Sequence, residues 1–170
     1  HIHRPEILVR NRMAYSGALE PIDVNDTGQH GYMTGECRGG EMTVEFVPFS
    51  ARQYIHLEVQ SGAGATTAEI EDQITEAIFR YGREHIYSVR VTGFCDPDMH
   101  YQFRPDRLEG HILDITDQTR PNYDFEELAR IHGDDVIGRY IRKLGRPGAD
   151  GEITSRALIY GVSALLGHCE

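Results

Sequence analysis

Residues 54–95, YIHLEVQSGAGATTAEIEDQITEAIFRYGREHIYSVRVTGFC, decide the fold, because two strand patterns flank one helix pattern. Apolar and polar side chains alternate in residues 55–59 and again in residues 87–91, which is the period of a half-buried strand. Between them, residues 66–69 (TTAE) have the spacing of a capping box. Apolar residues then recur every three or four positions until Gly82, a typical helix stop.

The sequence on either side divides the chain into three predicted parts. A further strand is expected at 111–116, so residues 54–118 read strand, helix, strand, strand, which is typical of a small α+β domain. Residues 1–50 predict short strands, with a tight turn at the glycine pair 39–40. Residues 123–170 predict a helical tail. The predicted fold class is therefore α+β.

Capping residues and amphipathic patterns predict the helices of the tail. Asp124 begins a second capping pattern, and residues 136–144 present one apolar face at helical spacing. The stretch 145–151, GRPGADG, is typical of a linker. Thr154 is expected to cap a last helix that runs to Leu166.

Composition limits the class of protein. The 170 residues are 39% apolar and 26% charged, as in ordinary globular proteins, which excludes wholesale disorder. The longest mostly apolar stretch, 157–166, is shorter than a membrane span, so no membrane contact is expected. Three widely spaced cysteines argue against a disulfide framework or a structural zinc site, and a cytoplasmic location is expected: Cys37, Cys95 and Cys169.

Charge is distributed unevenly. The net charge is −10, so the overall field does not favour nucleic acid, and any contact with DNA must be local. The segment 139–156 is the exception, because its only acids are Asp150 and Glu152. Its cations form either a solvated helix face or a patch that binds phosphate or a partner: Arg139, Arg142, Lys143, Arg146 and Arg156.

The first three residues, His1-Ile2-His3, carry the sharpest chemical signal. Two imidazoles one residue apart on an extended segment point to opposite sides of the backbone. A turn at that place can aim them at two different metal ions, since neutral imidazole suits Mn, Fe and Zn. Taken alone, the pair is better explained by chance or by the remnant of a tag than by a metal site.

Longer motifs give the pair a context. Residues 1–8 (HIHRPEIL), 14–21 (AYSGALEP) and 26–37 (DTGQHGYMTGEC) resemble the end of a calcineurin-like metallophosphoesterase domain, whose last metal motif is Gly-His-x-His. In particular, they resemble the SbcD and YhaO-type DNA repair exonucleases, in which Arg/Lys-Pro and a Tyr-x-Gly turn follow that motif. Residues 47–54 (VPFSARQY) and 114–128 (DITDQTRPNYDFEEL) extend the resemblance over most of the chain.

The resemblance implies a fold and a set of partners. Residues 1–50 would complete a phosphoesterase β-sandwich, and residues 54–118 would be the capping domain that positions DNA. The tail, 123–170, would dock on the coiled-coil base of an SMC-like ATPase, and a homodimer is a further expectation.

The resemblance also implies a metal centre. His1 and His3 match the two motif histidines, one for each of two divalent ions, with manganese expected in the intact protein. The preceding glycine and the earlier metal motifs of the family are absent. The chain is therefore expected to be the C-terminal part of a metal-dependent DNA repair exonuclease, inactive and without metal by itself.

Two other functions stay open. The chain can be a non-catalytic module that binds DNA or a partner, or part of a phosphoesterase of small phosphodiesters. Residues 26–31 suggest either a phosphate loop or, as the turn chemistry of Asp and Gly favours, a hairpin turn. Four further carboxylates suggest a cation site or, more simply, turn and surface acids: Asp96, Asp98, Asp114 and Asp117.

Overall fold

The computed structural model describes residues 1–145 and 151–167 and contains both helices and strands, which confirms a mixed α and β fold. A single 3-10 turn, Pro105–Arg107, accompanies them in this part of the chain. The elements in chain order are β1 Glu6–Val9, β2 Met13–Tyr15, β3 Gly31–Arg38, β4 Glu41–Pro48, β5 Tyr54–Ser61, α1 Thr67–Tyr81, β6 Ile86–Cys95, β7 His111–Asp117, β8 Arg120–Pro121, α2 Phe125–His132, α3 Val136–Leu144 and α4 Gly151–Leu166.

The chain forms two compact units. Unit 1 comprises His1–Val59, Ala68–Val91 and Phe103–Thr116, and unit 2 comprises the remaining segments, Gln60–Thr67, Thr92–Gln102 and Asp117–Glu170. The division into 1–50, 54–118 and 123–170 inferred from the sequence stays a prediction.

Strand pairing around β6 is parallel. The starts of β5 and β6 lie together, since Ile86 N donates at 2.9 Å to the carbonyl oxygen of Gln53, the residue before β5. The strands also meet near their ends, at Ser61 and Gly93. On the other side of β6, Asp114 of β7 accepts a hydrogen bond from Ser88, and β8 pairs with β6 in parallel. A parallel neighbour requires a crossover connection, and α1 supplies the one between β5 and β6.

The core of unit 1 lies where α1 covers these strands. Its six central side chains are at most 1% exposed: Ile70, Ile74, Ile78, Tyr87, Val89 and Val91. They are the residues that the helical and alternating patterns of the sequence predict for the two inner faces. Gly82 also ends α1 as predicted, with a φ of 124° and its N–H donating to Ile78 O at 2.9 Å.

The first fifty residues form two antiparallel hairpins. Strands β3 and β4 pair from Arg38 opposite Glu41 to Gly31 opposite Pro48. Gly39 and Gly40 join them with φ values of 60° and 87°, the left-handed values that a two-residue type I′ turn requires. The predicted glycine-pair turn is therefore confirmed. Strands β1 and β2 form the second, shorter hairpin.

Unit 2 has its own apolar cluster, which consists of Tyr123, Ile141, Ile159 and Val162. Within this cluster the Tyr123 hydroxyl lies 3.0 Å from that of Ser163, so the buried polar atom keeps a partner. Tyr123 lies two residues before the start of α2, and the other three residues come from α3 and α4. The predicted helical tail therefore has a core, at least within the residues that the structure describes.

The ends of these helices follow the sequence in part. Asp124 caps α2 as predicted and accepts the Glu127 N–H at 2.9 Å. The prediction for α4 is wrong at its start, because the helix begins at Gly151 rather than after Thr154. Several neighbours are of capping types, so composition alone does not select one: Asp150, Thr154 and Ser155. The predicted end at Leu166 is confirmed, while residues 146–150 of the predicted linker lie outside the described residues.

Two further observations concern predicted features of the chain. Among residues 1–145 and 151–167, no helix is both long enough and apolar enough to cross a membrane. Cys37 is an exposed thiol and Cys95 a buried one, and Cys169 lies outside the described residues. Burial is the largest influence on the pKa of Cys95 and raises it, so this thiol stays protonated at neutral pH.

Two glycines of unit 2, Gly93 and Gly62, offer a test of stability. Gly93 has a φ of 98°, and a Cβ there would collide with the carbonyl oxygen of Ser61. We expect Gly93→Ala to lower the free energy of unfolding by at least about 2 kcal/mol. Gly62→Ala, where the added carbon meets open space, should change it by no more than about 1 kcal/mol. Urea unfolding measures both effects. If the two variants had the same unfolding midpoint, the close approach of Gly93 to Ser61, and with it the parallel pairing of β5 and β6, would be contradicted.

Candidate metal centre

The imidazole of His3 is held by a buried carboxylate. Its Nδ1 lies 2.9 Å and 3.1 Å from the two carboxylate oxygens of Asp26. The Asp26 residue is 6% exposed, whereas the His3 side chain is 32% exposed. One side of the ring is thus fixed to the protein while part of the ring remains accessible.

A short turn prepares Asp26 for this contact. The N–H of Asp26 donates to the carbonyl oxygen of Asp23 at 3.0 Å, which closes a turn over residues 23–26. Two backbone N–H groups then donate to Asp26 Oδ2, that of Ile22 at 3.0 Å and that of Asp23 at 3.3 Å. The backbone therefore fixes the orientation of the carboxylate independently of its contact with His3.

The same contacts set the charge state of Asp26. Burial acts to raise the pKa of Asp26, but the hydrogen bonds from Ile22 N–H, His3 and Asp23 N–H outweigh it, and the net pKa is lowered from 3.8. The contribution of this carboxylate to stability is therefore present above pH 3.8 and is lost as the pH falls through the lowered value. At neutral pH the group is an anion that only accepts hydrogen bonds.

An anionic acceptor determines the tautomer of a neutral His3. Nδ1 must carry the proton that the carboxylate accepts, which leaves the lone pair of Nε2 for another ligand. Metal-ligating histidines are held in this way, with the ring nitrogen remote from the metal donating to a carboxylate. The geometry of His3 and Asp26 fits a divalent cation at Nε2, with Asp26 behind the ring rather than as a ligand.

The backbone of His3 is fixed as well as its ring. Ala18 N donates to His3 O at 2.8 Å, and Gly17, with a φ of 71°, lies so close that a Cβ would collide with the same oxygen. Arg4 donates from its guanidinium to Asn25 O at 2.9 Å, which joins the N-terminal segment to the turn that carries Asp26. Arg4 and Gly17 belong to the two short motifs that follow the histidine pair, so these motifs position His3.

His30 lies inside this arrangement but is a core residue. It is fully buried, its Nδ1 lies 3.1 Å from Ala18 O, and its Nε2 has no hydrogen-bond partner among the residues that the structure describes. Its carbonyl oxygen accepts from Phe49 N and Ser50 N. No helix follows residues 26–31, since β3 begins at Gly31, and the turn lies at 23–26. The hairpin turn predicted at 26–31 is therefore wrong, because the local hydrogen bonds close three residues earlier.

Of the two predicted metal ligands, the structure places only His3 beside other side chains that carry possible metal-ligand atoms. Ligand atoms of His3, Asp23 and Asp26 lie within 4.8 Å of one another. Within the described part of the chain His1 is exposed and does not join this group. Sequence reasoning missed Asp26, because its role depends on a contact between residues 23 positions apart. The only signal was that the third motif begins at Asp26.

The predicted basic patch is divided by the structure. Three of its members line one open groove on α3, together with Val136 and Tyr140: Arg139, Arg142 and Lys143. Arg156 is exposed on α4 and is not among the residues described as lining this groove, and Arg146 lies outside the described residues.

A comparison of the chain with protein-family models, with curated proteins and with solved structures finds no match in any of the three. Membership of the phosphoesterases therefore stays a prediction from the motifs of residues 1–37.

A change at Asp26 tests the tautomer. In Asp26→Asn, the amide oxygen should take the place of Oδ2, which accepts from Ile22 N and Asp23 N. The amide NH₂ then takes the place of Oδ1, 3.1 Å from His3 Nδ1, and donates to it. We expect His3 to change from the Nδ1–H to the Nε2–H tautomer, as long-range ¹H–¹⁵N spectra would report.

Asp23→Asn is the matched control, because it also removes one negative charge from the turn. Asp23 Oδ1 accepts from Asn25 N at 2.8 Å, a bond that an amide oxygen can keep. The His3 tautomer should stay unchanged in this variant. An Nε2–H tautomer already present in the unsubstituted protein would contradict the assignment.

Proposed function

We propose that residues 1–50 are the last part of a two-metal phosphodiesterase domain, and that the protein is a metal-dependent DNA repair exonuclease of which this chain is the C-terminal part. The observation that carries the proposal is the contact between His3 Nδ1 and the buried carboxylate of Asp26, which leaves Nε2 for a metal ion. The motifs of residues 1–37 support the same family.

The exposure of the first fifty residues also supports it. Large apolar side chains of this segment are between 44% and 65% exposed: Ile7, Val9, Met13, Tyr15 and Ile22. Two-stranded hairpins are marginally stable alone and need a second layer to bury such side chains. The remainder of a phosphoesterase β-sandwich is the layer that the proposal supplies.

In the proposed centre, His3 holds one divalent cation through Nε2 and His1 holds the other, with manganese as the expected metal. When bound, such a pair of ions would supply activation of a hydroxide and stabilisation of the leaving oxygen of a phosphodiester. Asp26 keeps the His3 ring in place, and Gly17 and Ala18 keep its backbone in place. The other ligands come from residues outside these 170, so the chain alone is inactive.

The rest of the chain has assigned roles in this proposal. Residues 54–118 form the capping domain beside the DNA, and the helices of 123–170 dock on an SMC-like coiled-coil ATPase in the cytoplasm. A phosphoesterase of small phosphodiesters shares the same metal centre. Substrate preference therefore distinguishes it from the nuclease, and the geometry of His3 does not.

The test uses the polypeptide encoded by the complete open reading frame. We expect it to hydrolyse single-stranded DNA with Mn²⁺ and to lose this activity with EDTA. His3→Ala should reduce the rate by at least about 100-fold, since ligands and their partners in metal sites contribute effects of this size. His100→Ala is the control, because His100 is exposed and is not one of the residues grouped around Asp26.

The activity should be followed with DNA and with bis-p-nitrophenyl phosphate or a cyclic nucleotide in parallel. Hydrolysis of the small diesters alone would replace the nuclease by the small-substrate enzyme. Full activity of His3→Ala, or activity that survives the chelator, would overturn the two-metal proposal itself.

A further inference from the structure

We propose that the groove on α3 is a binding site for phosphate esters, either those of a nucleic-acid backbone or those of a nucleotide. The groove is lined by Val136, Arg139, Tyr140, Arg142 and Lys143 and has a volume of about 650 Å³. None of these side chains is acidic, in a protein whose net charge is −10. The site lies in unit 2 and does not depend on the metal centre proposed for residues 1–50.

The three cations are placed at a cost to the helix. Arg142 and Lys143 stand three and four positions after Arg139, so like charges are neighbours on the surface of α3. Such pairs destabilise a helix. Arg142 and Lys143 lie in the last turn, where they offset the negative end of the helix dipole. Arg139 lies before that turn, so the dipole does not account for it.

Neutralisation within the protein is incomplete. Arg142 is 2.8 Å from Asp134 and forms an ion pair with it. Within residues 1–145 and 151–167, with the side chain of Glu152 left aside, no ion pair is seen for Arg139 or Lys143, and both side chains are exposed. Two cations are therefore available to an anion from solution, and a guanidinium beside an ammonium is a donor set that phosphate oxygens prefer.

The groove is built on a fixed support. Ile141, on the opposite face of α3, is 5% exposed in the unit 2 cluster. Tyr140 packs against Gly161 of α4, and its hydroxyl donates to Ala157 O at 2.8 Å. Because that hydroxyl proton is already used, recognition in the groove depends on charge, and we expect no preference for base sequence.

The experiment measures binding of a labelled single-stranded oligonucleotide to the full chain by fluorescence anisotropy at low and moderate salt. The double variant Arg139→Gln, Lys143→Gln should bind at least about tenfold more weakly. The slope of log K against log salt concentration should also fall in magnitude by about 0.7 or more, which corresponds to the loss of one phosphate contact. The control is Arg38→Gln, Arg130→Gln, which removes the same charge from arginines that already pair with Glu36 and Glu127. It should bind within about twofold of the unsubstituted chain.

Competition separates the two sources of phosphate. A mononucleotide that displaces the oligonucleotide at the same concentration of phosphate groups identifies a nucleotide site, and one that fails identifies a backbone site. Arg139→Lys keeps the positive charge and should keep most of the binding. It therefore shows that the weaker binding of the Gln double variant comes from the lost charge and not from misfolding. Equal binding by the Gln double variant and its control would overturn the proposal, as would an acidic polypeptide that binds while the oligonucleotide does not. This experiment measures binding and not DNA hydrolysis, so a negative result for the α3 groove leaves the proposal for His3 unaffected.

Discussion

A buried carboxylate organises the N-terminal part of the molecule. Asp26 is almost inaccessible to water, so its negative charge must be compensated within the protein. Backbone N–H groups of the 23–26 turn and the ring of His3 provide that compensation, which ties the first residues of the chain to a segment more than twenty positions later. Arg4 and the Gly17 turn strengthen the same connection. The orientation of His3, and every chemical role suggested for it, depends on this one charge.

Much of the fold could be predicted from periodicity and from capping. The alternation in β6 and the spacing of isoleucines in α1 identify the core of unit 1 directly, because a side chain's face follows from its position in a strand or helix. The glycine pair 39–40 predicts its turn for a similar reason, since the left-handed backbone excludes most other residues. The start of α4 was not predictable to the residue, because neighbouring residues of similar capping strength compete.

The candidate site was predictable only in His3. His3 stands out as half of a short motif, whereas the role of Asp26 depends on a tertiary contact that no local pattern encodes. His30 shows the converse, because a histidine inside a motif proves to be a fully buried part of the structure. The basic patch was visible as a local excess of charge, but the groove that Arg139, Arg142 and Lys143 line on α3 depends on how the helices pack, which the sequence does not show.

The two hairpins have a consequence for how the molecule opens. Within the described residues, β3 and β4 pair only with each other, as do β1 and β2, so about half of the backbone N–H groups of these strands point away from a strand partner. Hydrogen exchange should therefore proceed there through small local openings, while amides over the isoleucines of α1 exchange only on global unfolding. The histidine pair precedes β1 and is therefore attached to one of these hairpins. A ligand that binds the histidines, or a layer that covers the hairpins, would slow that exchange.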